Sequence, residues 1–284
     1  MSLSSAARAC ALFSGLDILV PNKKYFAEEE LPLFSLNPEH SVEFPGGLER
    51  EELNTDLRIA SFDFEGTIYA SAELEEERTG KCNLCDRYPL RQFVGSVSQR
   101  AAAFVLKAKA FSYWAYQTRH CSFCGTALTL GRSLEDARAR VCPACSRVFF
   151  PRISPAVIVL VNNGKKILLA HNAKMPTGRH GLIAGFVDPG ETLEEAVRRE
   201  VMEEAGIEIH NPRYIRSQPW PFPDSLMLAF EAEYKSGEAQ PDGMEIDRLG
   251  WYGIDELPEI PPPGSVARSL IERFIVKRPG QGKN

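Results

Sequence analysis

No run in this sequence approaches the roughly 20 consecutive apolar residues that a membrane span requires; the stretch from Ala156 to Val161 is among the longest. No membrane-spanning helix is therefore expected. Nor is there an excess of positive charge, since 33 Lys and Arg against 38 Asp and Glu leave a formal charge of -5. That balance excludes a global basic field of the kind that gathers nucleic acid, so any nucleotide or RNA end must be held by local features. The opening MSLSSAARACALFSGL lacks a basic segment followed by a long apolar core and a cleavage site. The closing GQGKN is not a peroxisomal signal of the S-K-L kind, and a cytoplasmic location is expected. A disulfide framework is also missing. Six of the seven cysteines fall in three C-x-x-C pairs, Cys82/Cys85, Cys121/Cys124 and Cys142/Cys145, an arrangement that suits a metal in a chain without a leader. Cys10 reads as a small apolar residue.

What is present is the composition of an ordinary globular protein, 44% hydrophobic and 25% charged. The 284 residues give room for one large domain or two to three modest ones. There is no internal repeat. The first 115 residues are the least informative. They hold turn-rich pieces, strand candidates in LRIASFDF and GTIYASAEL, and a helical period from about Ser98 to Gln117, which together read as a small α+β domain. After Pro151, PAVIVLVNNGKKILLAH reads as two strands joined at Asn162-Asn163-Gly164. Further strands are expected around Arg213–Ser217, Leu226–Tyr234 and LGWYGI, with a last helix from about Ser265 to Val276. That order predicts an α+β domain with a mixed sheet covered on both faces. The boundaries read as 1–117, 118–150 and 151–284.

Between residues 118 and 150 two C-x2-C pairs stand 17 residues apart, the spacing of a four-cysteine zinc ribbon. Cys121, Cys124, Cys142 and Cys145 would close a tetrahedron of thiolates around Zn²⁺, leaving no position for water or substrate, so this zinc is expected to be structural. The lone pair Cys82/Cys85 could bind another metal, exchange into the ribbon or remain as free thiols; no second complete site is expected.

The stretch GFVDPGETLEEAVRREVMEEAGI, Gly185 to Ile207, carries the chemistry. Thr192 and Glu195 form a capping box and Gly206 is a terminator, predicting a helix over Leu193–Ala205. Leu193, Ala196 and Val197 make an apolar face that Glu200, Glu203 and Glu204 continue. Glutamates three and four apart repel one another. A solvated cluster bridged by Arg198 and Arg199 is one account. A hard divalent cation held by oxygen ligands, Mg²⁺ or Mn²⁺, is the other, and it points to phosphate-ester or diphosphate chemistry with a carboxylate as general base. Arg199 and Glu191 would orient the set from its flanks.

Gly185, Glu191, Arg199-Glu200-Val201, Glu203-Glu204 and Gly206-Ile207 match the pattern G-x5-E-x7-R-E-U-x-E-E-x-G-U, in which U is aliphatic, and the chain resembles the Nudix hydrolases. Downstream, Ser217-Gln218-Pro219-Trp220-Pro221-Phe222-Pro223-Asp224-Ser225 is similar to the S-Q-P-W-P-F-P-x-S motif of the NADH diphosphatase branch, which also has a four-cysteine ribbon and a divergent N-terminal domain. The resemblance covers most of the chain, strongly from about residue 104 onward and weakly before. It implies a Nudix α/β/α sandwich that hydrolyses NADH or NAD⁺ to nicotinamide mononucleotide and AMP and removes NAD caps from RNA 5′ ends. It further implies Glu200, Glu203, Glu204, the Ala184 carbonyl and Glu245 as ligands of Mg²⁺ or Mn²⁺. Implied substrate contacts are Gln218, Pro219, Trp220, Pro221, Phe222, Pro223, Asp224 and Ser225, with Ala267, Phe186 and Phe150. Phe150 departs from the tyrosine of the family, so stacking is retained and a hydroxyl contact is lost. A homodimer that shares its substrate sites is implied too. ADP-ribose or a dinucleoside polyphosphate is the alternative substrate class, and a non-catalytic zinc-ribbon binding module is the alternative outside enzymes.

Overall fold

The computed structural model describes residues 9–14, 16–21, 31, 34–36, 42–43, 60–73, 85–130, 139–174 and 178–277. By internal contacts the chain divides into two units, Met1–Arg152 with Pro221–Asp224, and Ile153–Trp220 with Ser225–Asn284.

The first unit contains a seven-stranded sheet formed by β1 (Ala9–Ser14), β2 (Asp17–Pro21), β3 (Phe34–Leu36), β4 (Val42–Glu43), β5 (Ala60–Phe64), β6 (Thr67–Glu73) and β7 (Cys85–Pro89). Two helices follow, α1 (Leu90–Ser96) and α2 (Gln99–Gln117). Ser98 caps α2 by accepting from the Ala101 amide, which explains the start of the helical period in the sequence. The core collects Phe13, Ile18, Phe62, Leu90 and Phe104. A buried ion pair between Glu73 of β6 and Lys109 of α2 lies inside this unit, and Ser112 also donates to Glu73. Of the expected strand LRIASFDF, residues 57–59 lie outside the described residues, as does Cys82. Cys85 is described only as backbone in β7.

The ribbon is the small three-stranded sheet β8 (Thr129–Leu130), β9 (Arg140–Val141) and β10 (Val148–Phe149). Cys121 lies just beyond α2, and Arg140 is buried with its guanidinium 5.7 Å from the Trp114 ring of that helix.

The second unit is built on a six-stranded mixed sheet. Its strands are β11 (Ser154–Asn163), β12 (Lys166–Asn172), β13 (Ile183–Phe186), β14 (Glu208–Trp220), β15 (Ser225–Ser236) and β16 (Ile246–Gly253). Strand β11 is parallel to β15 and antiparallel to β12 and β13. The continuous apolar run of β11 is the mark of a strand covered on both faces. Val157, Val159 and Val161 meet helix α3 (Leu193–Ala205) on one side, while Ile158 and Leu160 meet α4 (Val266–Lys277) on the other. This is the sandwich that the order of elements predicts, with the box helix on one face. Gly164 closes the β11–β12 turn at φ 61°, a conformation that favours glycine. No described helix is long and apolar enough to cross a membrane.

The strands β14 and β15 run further than their sequence periods indicate, and they pair up to Trp220 opposite Ser225. The proline-aromatic stretch therefore forms the end of a hairpin. Pro221–Asp224, at its tip, cluster with the first unit, where Phe222 packs against the core and lies 4.9 Å below the Arg91 guanidinium.

Candidate active site and metal centre

Helix α3 begins as the sequence dictates. Thr192 Oγ1 accepts from the Glu195 amide while the Glu195 carboxylate accepts from the Thr192 amide, and Gly206 ends the helix at φ 68°. Its buried face is Ala196, Val197, Glu200, Val201, Glu204 and Ala205. Two carboxylates, Glu200 and Glu204, are each only 8% exposed, whereas the Glu203 side chain stands at the edge of this face and is 59% exposed. The expectation that all three glutamates continue the apolar face holds for the two that burial captures.

Arg199 organises the set. Its Nε and Nη2 donate to the two oxygens of Glu191 at 2.8 and 2.9 Å, and Nη1 donates to Glu200 at 2.7 Å and to Glu203 at 3.1 Å. Nη2 also donates to the Phe186 carbonyl at 2.8 Å, fixing the end of β13 to the helix. The hydrogen bonds from Arg199 and from the Asp188 amide hold Glu191 below the usual carboxylate range, and Arg199 itself is held more firmly protonated. A Cβ at Gly185 would overlap the Glu200 carboxyl, so any side chain there would push that carboxyl aside.

Among the described residues Glu204 has no such partner. Burial, followed by the negative charges of Glu200, Glu245, Asp242 and Glu203, pushes its carboxyl up to about 8. Burial also raises Glu200, against the pull of Arg199. The loop before β16 thus brings Glu245 close enough to act on Glu204, although the two are far apart in sequence. Asp242 shapes that loop by accepting from the amides of Met244, Glu245 and Ile246. Sequence reasoning missed this role; the signal was an aspartate opening a turn in Pro-Asp-Gly. Desolvated carboxylates that raise one another's pKa are a donor set suited to a hard cation. Among the described residues these glutamate oxygens are not already gathered within ligand distance of one another; the only such group is the four cysteines.

Of the other expected site residues, Ala184 sits on β13 beside Gly185, and Phe186 is 56% exposed at its end. Gln218 joins two segments that the sequence keeps apart: its amide donates to the Gly264 carbonyl and accepts from the Val266 amide, each at 2.7 Å. The PPPG turn and the start of α4 are thereby fixed to β14. Ala267 is buried in the first turn of α4. Pro219 and Trp220 end β14, Ser225 is buried at the start of β15, Pro221 is buried, Asp224 is half-buried and Pro223 is exposed. Phe150 is exposed just past β10.

The four cysteines are free thiols whose sulfurs lie within 4.8 Å of one another. Separations of 3.4 Å for Cys124–Cys142, 3.6 Å for Cys121–Cys145 and 3.8 Å for Cys124–Cys145 are near the ~3.8 Å edge of a tetrahedron with Zn–S bonds of about 2.3 Å. The two knuckles have the same form. The amides of Gly125 and Ser146 return to the carbonyls of Cys121 and Cys142, and both residues have positive φ. Hydrogen bonds to Thr126 draw the Cys124 thiol down to about 6. The Arg147 amide lowers Cys145, but desolvation and the neighbouring sulfurs of Cys142, Cys121 and Cys124 push it up to about 12. Four sulfurs gathered this closely fit a cation that binds them as thiolates.

The second unit and its box define a Nudix domain, and the NUDIX domain family model matches residues 152–274. Among relatives, the NAD-capped RNA hydrolase NudC of Stutzerimonas stutzeri is 43% identical over 192 residues, 68% of each chain. The protein of the same name from Pseudomonas syringae pv. syringae is 42% identical over 243 residues, 85% of each chain. The chain belongs to the NudC-like family of Nudix hydrolases. Of solved structures, a NUDIX hydrolase from Nitrosomonas europaea is similar with a TM-score of 0.49 and 25% identity, covering 57% of this chain and 94% of that one.

Proposed function

We propose that the protein hydrolyses the diphosphate of NADH or NAD⁺ to nicotinamide mononucleotide and AMP, and removes NAD caps from RNA 5′ ends. The observation that carries this reading is the pair of buried carboxylates, Glu200 and Glu204, one oriented by Arg199 and the other crowded by Glu245. Glu200, Glu203, Glu204, Glu245 and the Ala184 carbonyl would hold Mg²⁺ or Mn²⁺. When bound, such ions neutralise phosphoryl oxygens and make an attacking water more acidic. Arg199 keeps Glu200 and Glu203 aimed, and Glu191 keeps Arg199 in place. Water adds to one phosphorus as the bridging P–O bond breaks, leaving two monophosphates. Phe186 and the rigid motif from Gln218 to Ser225 would grip the flat bases, with prolines lowering the ordering needed. Phe150 would add a stacking surface and Ala267 a backbone contact.

In this reading Cys121, Cys124, Cys142 and Cys145 hold a structural Zn²⁺ in each subunit of a homodimer. We assign the enzyme to the cytoplasm, a compartment that keeps such thiols reduced. The domains follow the boundaries 1–117, 118–150 and 151–284.

The test is kcat/KM measured side by side for NADH, NAD⁺, ADP-ribose and NAD-capped RNA with Mg²⁺ and with Mn²⁺. Rates on ADP-ribose far above those on NADH and capped RNA would overturn the substrate assignment. Glu204→Gln is expected to lower turnover by about 100-fold or more with the melting temperature preserved, because it removes a metal ligand from a preorganised set. Activity near that of the unsubstituted protein would refute the role given to Glu204.

A further inference from the structure

The zinc ribbon carries a surface that neither the metal nor the box explains. Phe123, inside the first knuckle, is 69% exposed, and the Arg147 guanidinium lies 4.0 Å from the centre of its ring. With Ser122, Val148 and Phe149 these residues line a cavity of about 390 Å³. The ribbon's own small core is complete without Phe123, using Leu128, the cysteines and Phe149. None of the lining residues is acidic. In sequence, residues 118–152 hold six arginines, Arg119, Arg132, Arg138, Arg140, Arg147 and Arg152, against Glu135 and Asp136 alone, in a chain whose overall balance is -5.

An exposed ring beside a guanidinium, in an arginine-rich module and a cavity whose lining carries no carboxylate, offers a π-face to a base and a cation to a phosphate. The apolar lining of the cavity, Phe123, Val148 and Phe149, is narrower than the broad continuous patch that a protein partner held by apolar contact needs. We propose that this face binds an unpaired base of single-stranded RNA, stacked on Phe123 with Arg147 countering the neighbouring phosphate. RNA behind an NAD cap then has a grip that the free dinucleotide lacks, an inference that rests on the capped-RNA reading of the active site.

The experiment uses the full-length, zinc-loaded protein and its Phe123→Ala and Phe123→Trp variants, with zinc content and sedimentation measured for each. Fluorescence anisotropy follows binding of a short single-stranded RNA without a cap, and steady-state kinetics follow NADH and the same RNA bearing an NAD cap. Phe123→Ala is expected to weaken uncapped RNA about tenfold, the scale of one lost stacking contact. KM for capped RNA should rise with it, while kcat/KM for NADH stays unchanged and Phe123→Trp restores binding. Unchanged RNA affinity in Phe123→Ala would overturn the proposal. So would a loss accompanied by a change of mass, which would make the ring a contact between copies of the chain. If the unsubstituted protein cleaves neither NADH nor capped RNA, the active-site reading fails, while the uncapped-RNA comparison still decides the ribbon.

Discussion

At the scale of single residues, the tightest constraint in the site is the absence of a side chain at Gly185. A methyl group there would overlap the Glu200 carboxyl, and that carboxyl is buried with Arg199 fixed to it at 2.7 Å. Gly185→Ala is therefore expected to displace Glu200 and lower kcat/KM for NADH by about 100-fold, with a far smaller change in melting temperature. Full activity in that variant would mean that Glu200 is free to move without consequence. Glu200 and Glu204 were legible in the sequence because they stand where apolar residues belong on a helix. Glu245 was legible only through the family resemblance, since its approach to Glu204 depends on a long-range fold and on the Asp242 turn. The anchoring of the α4 start by Gln218 was not legible either: an amide linking a strand to a distant turn leaves no periodic trace.

Among the elements, α3 shows how far local signals reach. Its capping box and glycine terminator are short-range hydrogen-bonding devices, and the helix begins and ends where they indicate. The sheet of the first unit shows the limit. There β1 pairs with β6 in parallel, joining segments that are distant in sequence, and no local pattern announces such a pairing. The same unit contains the Glu73–Lys109 pair linking β6 to α2. Burial raises the Glu73 carboxyl and lowers the Lys109 ammonium, each opposed by its partner. Lys109→Met would leave a buried carboxylate with Ser112 as its remaining partner among the described residues, and is expected to cost about 3–5 kcal/mol near pH 8. A carboxyl whose folded pKa is raised binds its proton more tightly when folded, so the loss should shrink as pH falls towards the ordinary value of 4.5. Urea unfolding at pH 8 and pH 5.5 measures this; a loss independent of pH would show that Glu73 is not the uncompensated group. The double substitution Glu73→Leu/Lys109→Met should recover most of the stability.

For the whole molecule, the metal sites are expected to separate by function. In Cys142→Ser the ribbon loses a thiolate, and since metal binding contributes directly to folding, thermal stability should fall before kcat on NADH changes. Removal of Mg²⁺ and Mn²⁺ should abolish turnover with little loss of stability. A zinc-free protein that melts at the same temperature would remove the structural role of the ribbon. The ribbon itself was fully legible, because the spacing of four cysteines states a geometry that the sulfurs of the folded chain reproduce. The chain's inheritance is constrained from another direction by Arg199. One guanidinium holds Glu191, Glu200, Glu203 and the Phe186 carbonyl, so a mutation of that arginine releases all of them together. Selection on any one of these positions is then conditional on the others. Descendants that abandon catalysis should lose the box in clusters, whereas those that keep it have few single-step neighbours with intermediate activity.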